Sequence, residues 1–516
     1  QKKLESVHIA LATTLPMPAG KLPMMLTELI VDADHNGDRY FLPLGVYADA
    51  DDSAASGLPQ QLALARVRRD RRVGMLTDAF SLDAFALRVF ELIREQASID
   101  TEDGSIVCST TPLIEKVELP EQCDVRRMTV EQSNSSLTIA DTVVVKVIRH
   151  LTAGIHPELE IGRVLTARGY TNAPTILGDM TRIGADGTPH TLIVLQGFIH
   201  SQGDAWRWTL DTLARASQQA DGVNGGANHA TANTVAGAST SPGTNQITSA
   251  ETPEMAEMAD PIIDLLQFAA TLGKRLAELH AVLAQECDDP DFKPEHATEA
   301  DCKRLAQNIK QQLERALVLL HENEALDTEF SAMADRLYQR KEALAALVDH
   351  LAEQAVGMLR TRIHGDFHLG QVLVASGDVY LLDFEGEPQR SLAQRREKNS
   401  PWRDVAGLLR SYDYAAYFSA NSAPSDLGEV ALARRQKILQ RYVPESRAAF
   451  LDAYAAIAPD TTASGVLLDL FTLEKTAYEV CYEADNRPTW LPVPLRGLSE
   501  LADRLLEQEQ QERQEK

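Results

Sequence analysis

One short hairpin gathers the acid and amide side chains with the clearest chemical potential in this chain. In RIHGDFHLGQVLVASGDVYLLDFEGEP, Arg362 to Pro388, two apolar runs, Val372 to Ala375 and Val379 to Leu382, flank the turn Ser376-Gly377-Asp378, a pattern that predicts paired strands. Asp366 precedes the first run, Gln371 opens it, and Asp383 follows the second. A carboxylate so placed can take the proton of an attacking hydroxyl. Carboxylate and amide oxygens together can hold a hard cation that neutralises phosphate charge. Each residue alone is ordinary, since an Asp at a strand end is commonly a turn former.

Order and spacing give the group its meaning. Protein-kinase-type phosphoryl transfer uses H-R-D-x-x-x-x-N followed by D-F-G: the first Asp accepts the hydroxyl proton, and the Asn and second Asp hold magnesium. Asp366, Gln371 and Asp383 fill these slots in order, with Gln371 offering an amide oxygen in place of Asn. A competing pattern exists in the same stretch, because His364, Asp366 and His368 form H-x-D-x-H, a possible hydrolase metal cluster. The lack of a further His/Asp ligand set, and Asp383 at kinase spacing, disfavour it.

The remaining phosphate machinery must come from elsewhere in the chain. Residues 99–200 read as a kinase-like small lobe. Lys146 interrupts the β-branched run VVVKV, where a kinase strand lysine binds the α/β-phosphates and pairs with a helix glutamate; an exposed edge-strand lysine is the plainer alternative. Glu158 and Glu160 are both available on the helix expected after His156, and Glu160 is the preferred partner. The polar turn Gln132 to Ser136 stands where a phosphate-covering loop belongs; without G-x-G-x-x-G, it would use Ser133, Asn134, Ser135 and Ser136. Such a turn is otherwise an ordinary hairpin link. The apolar run Thr191 to Phe198 suits a hinge between lobes, with backbone near Gln196 facing an adenine ring.

Residues 1–98 read as an N-terminal α+β cap: strand-like runs Met24 to Val31 and Tyr40 to Tyr47 about an Asn36-Gly37 turn, then a helix with Ser81 as N-cap. Residues 201–516 form a mostly helical lobe around the hairpin. Within it, 217–257 is rich in Ala, Gly, Asn, Ser and Thr, a composition that buries too little surface to order itself and predicts a disordered insertion. Leu265, Phe268, Ala269, Leu272, Leu276, Leu279 and Leu283 then share one helical face, with His280 beside them as a core or boundary residue. Helical patterns also fill Ala300 to Leu320 and Phe330 to Leu359. Gln389 to Ser400 reads as an activation-segment-like loop, and Asp404, at the start of the next helix, is placed to hold catalytic-loop backbone or simply to favour the helix N-terminus. Further on, Lys475, Glu479 and Glu483 line one helical face, followed by Asn486, Arg487 and Trp490. Carboxylates and an amide for paired hydroxyls, beside a ring that stacks on a pyranose, make a candidate sugar face; i,i+4 charge pairs on an exposed helix are the bland equivalent. Beyond Leu506 a Glu/Gln-rich tail is expected to fray.

Composition narrows the class. At 516 residues and 44% hydrophobic, the chain can fill two or three cores. A formal charge of −25 opposes binding to nucleic acid or an anionic membrane surface, and a cytoplasmic protein is expected. Cys108, Cys123, Cys287, Cys302 and Cys481 are scattered and odd in number, so reduced thiols are the default. No apolar run has membrane-helix length, and the residues after Gln1 lack a signal-peptide pattern.

The segments IHGDFHLGQVL, LLDFEGEP, DVAGLLRSYDYAA and YEVCYEADNRPTWLPVPL closely resemble the maltokinase family, including the maltokinase part of fused trehalose synthases. The resemblance covers nearly the whole chain, apart from the 217–257 insertion. It implies an α+β, bilobal protein-kinase-like fold with an N-terminal cap, and ATP-dependent phosphorylation of maltose at its anomeric hydroxyl, feeding α-glucan synthesis from trehalose. Under it Asp366 is the base, Gln371 and Asp383 bind Mg2+, Lys146 steadies ATP, and Glu160 positions Lys146. His364, Glu385, Glu479, Glu483, Asn486, Arg487 and Trp490 become candidate substrate contacts. A trehalose synthase domain before Gln1, which is not an initiator Met, goes with this expectation. An aminoglycoside- or choline-type kinase, and a non-catalytic ATP-binding module fused to a glucan enzyme, are the alternatives.

Overall fold

The computed structural model describes residues 4–33, 36–48, 57–69, 72–128, 134–219, 260–422, 428–461 and 464–515. Ser133 and most of the expected 217–257 insertion lie outside these; Ser217 to Gln219 end the helix Ala205–Gln219.

Two seven-stranded antiparallel sheets make up the first part of the chain. In the first, Met24–Ala33 lies centrally, paired with Leu4–Leu15, Asn36–Phe41 and Leu44–Ala48. The run Tyr40 to Tyr47 is thus two strands, divided at Pro43, which lacks the N–H a ladder needs. Beyond Leu44–Ala48 the meander Ala63–Arg69 and Arg72–Asp78 completes this side, as the apolar runs predict. The second sheet runs Ser98–Thr101, Gly104–Thr110, Ile176–Ile183, Pro189–Gly197, Val143–Val147, Ser135–Ile139, Val125–Arg127. His150–Leu151 crosses back to join the first sheet.

Helix Asp83–Arg94 is packed through Phe85, Val89, Leu92 and Ile93, and its N-cap is Leu82 rather than Ser81; a 3-10 turn, Ala79–Ser81, capped by the Asp78 side chain, comes first. One apolar cluster extends from Leu11 to Leu195 across both sheets, so the N-terminal strands share a core with the lobe that carries Lys146. A second cluster, Ile161 to Leu506, fills the helical lobe. Helix Pro157–Ala167 belongs to both, through Leu159 in the first and Ile161 and Leu165 in the second.

In the helical lobe, Ile263–Leu283 buries the predicted apolar stripe. Glu299–His321 begins at a Thr298/Asp301 capping box, while the pattern from Phe330 to Leu359 divides at Arg340 into Thr328–Gln339 and Lys341–Gln354. Helices Trp402–Asn421, Glu429–Ala455 and Ser464–Asn486 follow. Pro492–Glu515 is helical through the Glu/Gln-rich tail, residues with good helix propensity. No helix among the described residues is long and apolar enough to cross a membrane.

Candidate active site

The hairpin forms as its sequence implies. Val372–Ala375 pairs with Asp378–Leu381, and Ser376 (φ 51°) and Gly377 (φ 79°) make the two-residue turn whose twist suits a tight hairpin. It is held from both sides. The Asn172 side chain donates to the Val379 carbonyl (2.9 Å) and the Asn172 carbonyl accepts from Leu381 N (2.8 Å), while Gln202 N donates to Val374 O (2.7 Å).

The loop before it, which carries Asp366, hangs on Asp404. This carboxylate, 1% exposed in helix Trp402–Asn421, accepts from the backbone N–H of His364 (2.7 Å) and Gly365 (2.8 Å) and contacts His280 Nε2 at 3.0 Å. His280 contacts Tyr454 through its other nitrogen, so it is a bonded core residue. His364 donates through Nε2 to Leu382 O (2.6 Å), leaving Nδ1 to accept from Asp366 N (3.4 Å), and its ring packs between Phe367 and Phe384. Buried and doubly bonded, His364 ties the loop together and does not face an acceptor as expected; this also breaks up the H-x-D-x-H metal pattern.

Across the cleft, Lys146 projects from Val143–Val147 to Asp383 (2.6 Å), Glu385 (2.8 Å) and Glu158 (3.6 Å). The helix partner is therefore Glu158. Glu160 instead meets Arg362 (2.6 Å) and Arg396, because residues two apart on a helix point to different sides. Burial alone would lower the Lys146 pKa; the three carboxylates outweigh it and hold it well above the ordinary lysine value. Burial pushes Glu158 up to about 7 despite Lys146. Glu385 goes the other way: burial opposes ionisation, but Lys146, His156 and Arg395 bring it down to about 2.

Gln196 lies near the end of strand Pro189–Gly197, and its side-chain amide donates to Glu158 Oε1 (2.7 Å), fixing that carboxylate. Ser135 and Ser136 are ladder residues opposite Val147 and Lys146, not loop residues, and Ser135 Oγ is taken by Arg149 Nε (2.9 Å). Asn134 does reach the cleft, donating to Glu385.

Asp383 adopts φ 57°, a left-handed conformation uncommon outside glycine. One oxygen from each of Glu158, Asp383 and Glu385 falls within 4.8 Å of the others. An all-oxygen set suits a hard cation such as Mg2+. Gln371 is near by connectivity, its carbonyl accepting from Leu382 N (2.9 Å).

Asp366 has its own cation. Lys475 Nζ, from helix Ser464–Asn486, lies 3.0 Å from Asp366 Oδ1 and 2.9 Å from Glu387 Oε1. Glu387 also meets Arg390 and Arg403, and both arginines meet Glu474. The supposed activation-segment loop is thus anchored by these pairs and contains a short capped helix, Leu392–Arg396. Sequence reasoning placed Lys475 on a polar helix face without finding Asp366; the second acid of E-G-E-P was the signal available for Glu387.

The sugar face is largely satisfied internally. Glu479 pairs with Arg410 (2.9 Å), and Glu483 pairs with Arg487 (2.7 Å) and accepts from the Tyr414 hydroxyl (3.2 Å). Asn486 donates to Tyr482 O. The Trp490 ring is beneath the Arg487 guanidinium (4.7 Å) and among Trp206, Tyr414 and Phe418. Arg487 stands twelve residues from Lys475, about 18 Å along the helix at 1.5 Å per residue.

Residues 254–386 match the phosphotransferase enzyme family, a span that holds Asp366, Gln371, Asp383 and Glu385 but neither Lys146 nor Lys475. The chain is 26% identical over 383 residues to a glucosamine kinase of Mycolicibacterium smegmatis, covering 73% of this chain and 79% of the relative. It is 24% identical over 391 residues to a glucosamine kinase of Streptacidiphilus jiangxiensis, covering 73% of each. The solved structure of a glucosamine kinase in complex with glucosamine, ADP and inorganic phosphate superposes with a TM-score of 0.63 at 19% identity, over 96% of this chain and 94% of the other, which establishes a common fold. The stretch around the hairpin thus resembles the phosphotransferase enzyme family, and the chain shares the fold of the glucosamine kinase structure.

Proposed function

We propose that this protein transfers the γ-phosphoryl group of ATP to a hydroxyl of an amino sugar, with glucosamine as the first-choice acceptor. The observation that carries the reaction type is two charge groups flanking one hairpin, Asp383 and Glu385 with Lys146 and Glu158 after it and Asp366 with Lys475 before it. The acceptor rests on likeness to two glucosamine kinases over nearly three quarters of the chain. Lys146 receives the phosphates, and Asp366 accepts the proton of the attacking hydroxyl as the new O–P bond forms. The bond to the β-phosphate oxygen breaks, and ADP leaves with its electron pair. Asp383, with Glu385 and Gln371, would hold Mg2+, which supplies charge neutralisation on the phosphates. The work of the chain is alignment and charge stabilisation, without a covalent intermediate.

Maltose is the second reading, carried by the resemblance of YEVCYEADNRPTWLPVPL to maltokinases. The internal pairing of Glu479, Glu483 and Trp490 favours the smaller acceptor. The test is to incubate the protein with ATP, Mg2+ and glucosamine, N-acetylglucosamine, glucose, maltose, kanamycin or choline, and to identify the product by mass spectrometry and 31P NMR. Glucosamine phosphate with stoichiometric ADP is expected. Maltose phosphate alone would establish the second reading, and ADP release stimulated by no sugar would overturn both.

A further inference from the structure

We propose that Lys475 is the positioning residue for the Asp366 carboxylate, holding it turned toward the acceptor hydroxyl; this rests on the phosphoryl-transfer reading above. Lys475 Nζ contacts Oδ1 of Asp366 at 3.0 Å and leaves Oδ2 to accept the proton. A lysine on a mobile stem would orient nothing, but this one is fixed. Its Nζ also contacts Glu387 Oε1 at 2.9 Å, and it lies 5.0 Å from the centroid of the Tyr478 ring.

Glu387 is fixed in turn. It is 2% exposed and is met by Arg390 and Arg403, each of which also binds Glu474 on the helix that carries Lys475. The result is a closed group of three cations and three carboxylates with Asp366 at its cleft edge. The three cations balance the three carboxylates in formal charge. Gly407 lets this group approach the catalytic loop, since a Cβ there would meet Phe367 O at 2.8 Å and Lys475 Cε at 4.0 Å.

The alternative is that Lys475 only cements two elements. The two roles differ in what they move. A positioning lysine affects kcat in the folded protein, and arginine in its place restores it; cement affects folding, and kcat returns with melting temperature.

The test compares Lys475→Met, Lys475→Arg and Lys475→Met/Glu387→Gln, the double variant removing the unpaired acid that the first creates. Each is assayed for sugar phosphorylation and for slow ATP hydrolysis without sugar, where water is the acceptor. We expect Lys475→Met to lower kcat by about 100-fold, the scale of a general base, with the KM for ATP changed less than about threefold. Lys475→Arg is expected to recover much of kcat, and the double variant to recover melting temperature without kcat. Wild-type kcat in the folded Lys475→Met protein, or recovery of kcat together with melting temperature by the double variant, would overturn the proposal. The hydrolysis arm separates this from a wrong acceptor: if no sugar is phosphorylated but hydrolysis falls in Lys475→Met, the role of Lys475 stands and the amino-sugar reading fails.

Discussion

Two neighbouring glutamates show why a residue's type can be legible while its partner is not. Lys146, Asp366 and Asp383 stand out in the sequence because phosphoryl transfer, as proposed above, uses those types at those spacings. Which glutamate meets Lys146 depends on how Pro157–Ala167 rolls against its sheet, and a two-residue offset reverses the face. Glu158→Gln is therefore expected to weaken ATP binding, raising the KM for ATP several-fold, whereas Glu160→Gln leaves it unchanged. The second substitution deprives Arg362, 1% exposed, of its carboxylate, and a broken buried pair typically costs about 3–5 kcal/mol. Chemical denaturation alongside steady-state kinetics distinguishes these outcomes; an ATP defect confined to Glu160→Gln would reverse the assignment. Asp366→Asn is expected to bind ATP normally while kcat falls by roughly 100- to 10,000-fold, the usual contribution of a positioned base. Retained acceptor-dependent ADP release in that variant would remove Asp366 from the base role.

At the scale of elements, the helix that supplies Glu158 carries a second titratable group at its start. His156 is its N-cap residue, and burial, with Lys146 and Arg395 adding to it, lowers its pKa to about 4. The unfolded chain therefore binds the His156 proton more readily than the folded one between pH 4 and the ordinary value of 6.5. Stability tied to this site is present above that window and lost as pH falls through it, by up to about 3 kcal/mol at 1.36 kcal/mol per pKa unit. Glu158 runs in the opposite sense, since its raised folded pKa makes stability fall as pH rises from about 4.5 to about 7. Only the difference between wild type and His156→Gln isolates the histidine. Urea midpoints from pH 7 to pH 4.5 are expected to fall more steeply for wild type; parallel lines would exclude the effect. Such couplings were beyond the sequence, although the elements themselves were largely visible. The hairpin turn, the stripe on Ile263–Leu283 and the Asp404 anchor followed from local pattern, because each depends on period, turn chemistry or a single buried acid. The sugar face did not follow: Glu479 and Glu483 lie four apart on one helix as expected and Trp490 follows it, but Arg410, Arg487, Tyr414 and Trp206 come from other segments or turns to occupy them.

Over the whole molecule, the candidate active site is where two hydrophobic cores meet, Leu11 to Leu195 on one side and Ile161 to Leu506 on the other. Charges supply the cross-links between the two sides: Lys146 to Asp383 and Glu385, Asn134 to Glu385, Glu160 to Arg362. Lys146 is the cation that lets Glu158, Asp383 and Glu385 stand with oxygens within 4.8 Å of one another. Lys146→Met should leave that cluster without its neutralising charge, at a cost of about 3–5 kcal/mol if it behaves as other buried pairs do. The same loss should make the cluster a stronger cation site. Anything that binds the folded state alone stabilises it by mass action, by about 2.7 kcal/mol at a hundred times its dissociation constant. Millimolar Mg2+ or Mn2+ is therefore expected to recover a substantial part of the melting temperature of Lys146→Met without nucleotide, and a chelator to reverse the recovery. Wild type, with Lys146 already in place, should respond less. A melting temperature of Lys146→Met indifferent to divalent cations would mean that the three acids do not converge once the lysine is gone, and that Lys146, rather than a metal, is what draws the two sides together.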